Sequence, residues 1–207
     1  MKRTIFITLT ILFINQSILI AQQSEPKLIG HKIGITFSSF GENDVFRFDE
    51  LDGAASYDRD YFFTIGINYL YPLNNWMEAE TGIEYSKHTI LIEPNLPPDM
   101  DNSQRKANFS LIIIPLTLRA NFLKYIFVNG GLFLDIDAST NSPIDSQTGI
   151  GTVLGLSVKY DFKNGVTTFI NPYTKIHSLI PFADSEYHQR IWENGIRVGI
   201  TYNLKMK

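Results

Sequence analysis

A chain of 207 residues with no cysteine, 19% charged residues and a net charge of −3 holds no disulfide scaffold, no thiolate metal site and no cysteine-linked lipid anchor. The charge balance, and the lack of any run of Lys or Arg, exclude a nucleic-acid surface. Aromatic residues are plentiful, with ten Tyr and fifteen Phe.

The chain opens like an export signal. Lys2 and Arg3 precede an apolar run, Ile5 to Ile14, and Ala21 is a small residue suited to cleavage before Gln22. The expected division is a cleavable signal peptide over 1–21 and one domain over 22–207. Cleavage would move the net charge from −3 to −5, with 16 basic residues against 21 acidic ones. No later stretch is apolar for long enough to form a membrane-spanning helix.

After residue 27 the dominant period is two, which predicts strands, and no useful helical stripe intervenes. Eight strands are expected: Lys27–Phe40, Asp60–Tyr71, Trp76–Ile92, Asn108–Asn121, Tyr125–Ala138, Gly149–Asp161, Val166–Phe182 and Arg190–Lys205. Their connections alternate. "PLNN", "FLK" and "FKNG" are short, and Asn164-Gly165 is a strong hairpin signal. "GENDVFRFDELDGAASYDR", "EPNLPPDMDNSQRKA", "STNSPIDSQT" and "ADSEYHQ" are long. This alternation predicts an all-β fold, an eight-stranded antiparallel up-and-down transmembrane β-barrel (a meander). Short turns and both termini would lie at the periplasmic end and the long loops outside. The strands reach or exceed the roughly 9–11 residues that a tilted membrane strand needs.

The polar parity decides which face points out. It is rich in Gly, Thr, Asn and Ser with spaced single charges, as in Thr64, Gly66, Asn68 and in Gly149, Gly151, Gly155, Ser157, Lys159. A water-facing surface would carry more Lys, Glu and Asp, whereas a narrow lumen needs small residues beside long charged ones. The apolar parity ends in aromatics, Tyr61, Tyr69, Tyr71, Tyr160 and Tyr202, as an interfacial girdle requires. Ile196, Val198 and Ile200 are therefore expected to face lipid, and Arg197 the interior.

Three stretches carry a resemblance to a known group. "LIIIPLTLRANF", "YIFVNGGLFLDI" and the closing "NGIRVGITYNL" resemble the PorT-like outer-membrane β-barrel family of the Bacteroidetes type, over nearly all of the chain after the signal. The resemblance implies a small barrel in the bacterial outer membrane and speaks to architecture more than to activity.

By parity, Lys32, Arg119, Lys159, Lys175 and Arg197 point inward as cations, and Glu78, Glu80, Glu84, Asp135, Asp137 and Glu193 as anions. Isolated charges in a narrow lumen are costly, so pairing into a structural polar plug is expected, with Arg197 meeting Glu80 or Glu84. The competing reading is a gate or ion path, a narrow porin-like channel. An outer-leaflet lipid-modifying enzyme is the weaker alternative. Asp184, Ser185, Glu186 and His188 share one loop, but no G-x-S-x-G elbow supports catalysis. The four histidines, His31, His88, His177 and His188, lack metal-ligand spacing. No catalytic, cofactor or metal site is expected. The partners are outer-membrane lipid and, through the acidic and aromatic loop 41–59, another envelope protein, with the Phe46 and Phe48 rings able instead to pack on their own hairpin.

Overall fold

The computed structural model describes residues 30–48, 56–58 (backbone only), 61–93, 103–139, 142–183 and 187–204. The signal segment 1–21, much of loop 41–59, and Asp184, Ser185 and Glu186 lie outside the described residues. Nine strands run in chain order: β1 (His31–Phe46), β2 (Ser56–Asp58), β3 (Phe62–Pro72), β4 (Met77–Glu93), β5 (Arg105–Phe122), β6 (Ile126–Asp137), β7 (Gly149–Asp161), β8 (Val166–Pro181) and β9 (Arg190–Leu204). No helix occurs among the described residues.

Eight of these strands close into a ring. Each long strand pairs antiparallel with its neighbours in the chain, and β1 pairs with β9 from His31↔Leu204 to Phe46↔Arg190. Closure removes the free edges that an open sheet would expose to lipid. The three short turns, including the one closed by Gly165 at φ +86°, sit at one end. The long connections sit at the other.

Burial follows the period of two. In β3, Phe62, Thr64, Gly66, Asn68 and Leu70 are buried, whereas Ile65, Ile67, Tyr69 and Tyr71 are exposed. Side by side in the ladder, Ile65, Phe37, Val198 and Ile170 form an outward apolar band. Tyr61, Tyr69, Tyr71, Tyr160 and Tyr202 stand outward at strand ends. A shallow hollow of about 1190 Å³ on the outer wall, lined by Ile35, Ile67, Ile83, Val158, Ile170 and Ile200 among others, belongs to this lipid-facing band and not to the lumen.

Two prolines sit inside long strands. Pro115 and Pro172 lack an N–H to donate. Each falls where one ladder is interrupted: between Thr81↔Leu116 and Glu84↔Ile113 for Pro115, and between Gly155↔Tyr173 and Val158↔Ile170 for Pro172. The ladder on the other side runs through both, at Pro115↔Phe133 and Pro172↔Ile196.

The structure departs from the expected strands in two places. β1 runs on to Phe46 by pairing with β9, beyond a bulge between Ser39 and Glu42. The extra residue reverses the parity, so Asn43 is buried although Lys32, Thr36 and Ser38 set an even inward face. The upper segment of β1 thus extends the closing seam and not a hairpin with β3. The short strand β2 was also not expected. It pairs with Leu91, Ile92 and Glu93 of β4.

Candidate functional site

The lumen is the candidate site, and its side chains fall into levels from the short-turn end upward. At the bottom, Lys32 Nζ donates to Glu78 Oε1 at 2.5 Å and Asn121 Nδ2 donates to Glu78 Oε2 at 3.2 Å. Lys159 Nζ donates to Asn121 Oδ1 at 2.5 Å and lies 3.4 Å from Asp161 Oδ2.

The middle level is a chain of ions. Arg119 Nη2 donates to Glu80 Oε2 at 2.8 Å, and Asn68 Nδ2 donates to Glu80 Oε1 at 2.9 Å. Arg197 Nη1 lies 3.5 Å from Glu80 Oε1 and 3.6 Å from Glu84 Oε1. Lys175 Nζ donates to Glu84 Oε2 at 2.9 Å and stands 3.9 Å from Glu193 Oε1. The Arg119 guanidinium also rests over Phe127, 4.3 Å from the ring centre, and Phe169 at 4.9 Å. Gly66 makes room here, because a Cβ on it would stand 2.8 Å from Glu84 Cγ.

Ten of the eleven charged residues named from parity, Lys32, Glu78, Glu80, Glu84, Arg119, Asp135, Lys159, Lys175, Glu193 and Arg197, are buried in the interior. Nine are tied by ion pairs to other charged residues, and Asp135 is tied to His177. Asp137 is half-buried on the same parity and accepts the Ser139 backbone N–H at 2.9 Å.

The upper level holds groups that sequence spacing did not bring together. His177 Nδ1 is 3.0 Å from Asp135 Oδ2, and its Nε2 is 3.5 Å from Glu193 Oε2. His88 Nε2 is 3.6 Å from the same oxygen and 2.9 Å from Ser86 Oγ. Tyr173 Oη donates to Glu193 Oε1 at 2.6 Å. His88, His177 and Glu193 are 88, 177 and 193 in the chain, on three strands, so no local motif could reveal them. The one signal in the sequence is geometric: the steps from Trp76 to His88 and from Gly165 to His177 are equal, and both residues have inward parity.

Apolar side chains fill the rest of the upper half, and a folded-over loop closes the top. Phe62, Ile90, Phe109, Leu111, Ile113, Phe133 and Ile191 pack in one buried cluster with Ile144 of the loop before β7. The interior is therefore not uniformly polar, and β5 in particular turns Phe109, Leu111 and Ile113 inward. Above them, Gln147 Nε2 donates to the Asp145 and Gln189 carbonyls, both at 2.8 Å, and Asp145 Oδ2 accepts the Gln189 N–H at 2.9 Å. Loop 142–148 is thereby fastened to the segment entering β9.

Of the four histidines, His88 and His177 are wholly buried at the upper level. His188 is buried with Nε2 at 3.1 Å from Ser178 Oγ, and His31 lies at the opposite end against Tyr69 and Tyr71. In the first long loop, Phe46 packs against Phe48 and Trp192, and Arg190 covers the Phe48 ring at 4.5 Å.

Comparison with known proteins bears on the architecture. No protein family matches the chain, and no curated protein sequence does. Among solved structures the chain is similar to the outer membrane protein AlkL in lipid bilayers, with a TM-score of 0.52 and 13% identity over 89% of this chain and 94% of that one. It also matches the outer membrane protein OprG from Pseudomonas aeruginosa, with a TM-score of 0.49 and 14% identity over 86% of this chain and 97% of that one. The fold is that of an eight-stranded transmembrane β-barrel. At this identity the likeness carries the fold alone.

Proposed function

We propose that the protein is a small bacterial outer-membrane barrel whose lumen is plugged by its own side chains, with a structural role or one of presenting external loops to another envelope protein. One observation carries the reading. The ion chain from Arg119 through Glu80, Arg197, Glu84 and Lys175 to Glu193 crosses the interior, and a buried apolar cluster that includes Ile144 of loop 142–148 packs beside it. An eight-stranded barrel has an interior just wide enough for side chains to fill. A path for ions would have to break these pairs and displace the apolar side chains packed among them. The likeness of three strand segments to the PorT-like family agrees with export to the outer membrane. Loop 41–59, with its acids, is the candidate surface for an envelope partner. We assign no catalytic role, because the sequence holds no G-x-S-x-G elbow to activate a serine.

The test is conductance. The refolded protein inserted in planar bilayers should give no steady ohmic current. A reproducible single-channel conductance would replace the plug with a narrow porin-like channel.

A further inference from the structure

We propose that the upper lumen contains a binding site for one divalent transition-metal ion of the zinc class, formed by His88 of β4, His177 of β8 and Glu193 of β9. One ligand atom from each of His88, His177 and Glu193 lies within 4.8 Å of the other two. The two edges through Glu193 are 3.6 and 3.5 Å. Bonds of about 2.0–2.2 Å from zinc to imidazole nitrogen and carboxylate oxygen set tetrahedral ligand–ligand edges of about 3.3–3.5 Å. Two edges therefore fit without movement, and the third closes by rotation of a ring.

The surrounding groups hold these atoms as a metal site requires. Asp135 Oδ2 accepts a hydrogen bond from His177 Nδ1, which leaves the Nε2 lone pair for a ligand. A carboxylate in this position is the usual outer partner of a metal-bound histidine. Tyr173 occupies Glu193 Oε1 and leaves Oε2 facing the two rings. The His88 ring is stacked on Phe109, with centroids 4.9 Å apart, and beside Phe62 at 5.8 Å, so its edge is aimed at Glu193. His88 Nδ1 faces the Asn43 amide at 3.3 Å. Rotation of that amide would let its Oδ1 accept from Nδ1–H and free Nε2.

Two further observations point to an occupant. His177 Nε2 and Glu193 Oε2 are buried and have no close hydrogen-bond partner beyond their 3.5 Å approach to one another and that of His88 to the same oxygen, and Asn43 Oδ1 is buried with none, although buried polar atoms are normally satisfied. In the ion chain, Arg119, Arg197 and Lys175 face Glu80, Glu84 and Glu193, three against three, whereas the ion-pair partner of Asp135 is His177, so the positive charge opposite Asp135 has to come from His177 or from an ion at its Nε2. A protonated His177 would supply it but leaves the approach of His88 to the same oxygen without a purpose. A cation bound by all three supplies the charge and occupies His177 Nε2 and Glu193 Oε2, with His88 Nε2 released from Ser86 Oγ. Two imidazoles and one carboxylate favour zinc-class ions over calcium or magnesium, which prefer all-oxygen sites. Bound there, the ion ties β4 across the lumen to β8 and β9 within the apolar cluster.

The experiment uses the full chain, purified in detergent, stripped with a chelator and titrated with Zn²⁺ against a chromogenic chelator and with Co²⁺ followed by its visible absorption. The result expected is one Zn²⁺ per chain, cobalt bands of a low-coordinate nitrogen–oxygen site, and a higher temperature for loss of the fast-migrating unboiled form when metal is restored. Asp135→Asn should weaken affinity about 10–100-fold, His88→Ala and His177→Ala should weaken it more, and His31→Ala should leave it unchanged. Absence of stoichiometric Zn²⁺ binding, or binding that survives His177→Ala, overturns the proposal. If a lumen variant fails to fold, as its gel mobility will show, the wild-type Co²⁺ titration decides, and a spectrum without such bands overturns the site. A conducting lumen would leave these results unaffected, so the metal site and the plug fail separately.

Discussion

Replacing Glu80 by Gln tests the ion chain at its most connected point. The carboxylate is 1% exposed and meets Arg119 at 2.8 Å, Arg197 at 3.5 Å and the Asn68 amide at 2.9 Å. At 2.8 Å and an effective dielectric constant of about 20, the attraction to Arg119 alone is about 6 kcal/mol, and the contact at 3.5 Å adds about 5. Desolvation of the ions offsets most of this. What survives on breaking such a pair is the penalty for an orphaned buried charge, about 3–5 kcal/mol. Glu80→Gln keeps the volume and orphans Arg119, so it should cost that much. Arg197→Met should cost less, because Glu80 keeps Arg119 and Glu84 keeps Lys175 at 2.9 Å. The double variant should recover part of the loss, with a coupling within the range of about 0.5–3 kcal/mol seen for contacting residues. Urea unfolding in lipid vesicles, followed by the emission of Trp76 and Trp192, measures all three. If Glu80→Gln proves neutral to within about 0.5 kcal/mol, the size expected of an ordinary surface change, water is solvating the arginines and the plug is refuted.

The lipid face is tested at Val198, which points outward in the middle of β9. Val198→Arg should cost about 2–4 kcal/mol if it lies at the bilayer midplane, and tolerance in the same refolding assay would argue for a soluble barrel. Its neighbour Gly199 is not a silent control, because a Cβ there would stand 2.3 Å from Phe169 Cζ. Gly199→Ala must push that ring aside, for an overpacking cost of about 1–3 kcal/mol, and a stability equal to the wild type would show that the interior has slack. Because the chain has no cysteine of its own, topology can be read from single introduced ones. Ser103→Cys, in an exposed long connection, should react with an impermeant maleimide on intact cells, whereas Asn164→Cys, in a short turn, should react only after the outer membrane is breached; reversed labelling would invert the barrel.

Much of the fold was legible because membrane strands obey strict geometry. The expected Gly149–Asp161 coincides with β7, and the other long strands agree to within a few residues at most ends, since Asn-Gly and Pro-Leu-Asn-Asn punctuate runs of period two. The exception is β1. Its last residues looked like loop because the bulge beyond Ser39 breaks the period, and only the partner β9 makes them strand. Parity also placed the charges, because Arg119 or Arg197 on the lipid side would be prohibitive. It could not sort β5, where Leu111, Ile112, Ile113 and Ile114 are apolar on both faces. The assembly of His88, His177 and Glu193 depends on the shear between strands, which sets the height of each residue on the barrel axis and leaves no trace in local spacing.

The most direct test of the whole account is where the protein goes and in what form. Membranes from cells making the full chain should be separated on a density gradient and washed with alkaline carbonate. The protein should remain in the outer-membrane fraction and, after detergent extraction, migrate faster unboiled than boiled, as a closed barrel that resists unfolding by detergent does. A freely soluble periplasmic protein with one mobility would contradict the lipid-facing assignment of Ile196, Val198 and Ile200, and with it the plugged lumen.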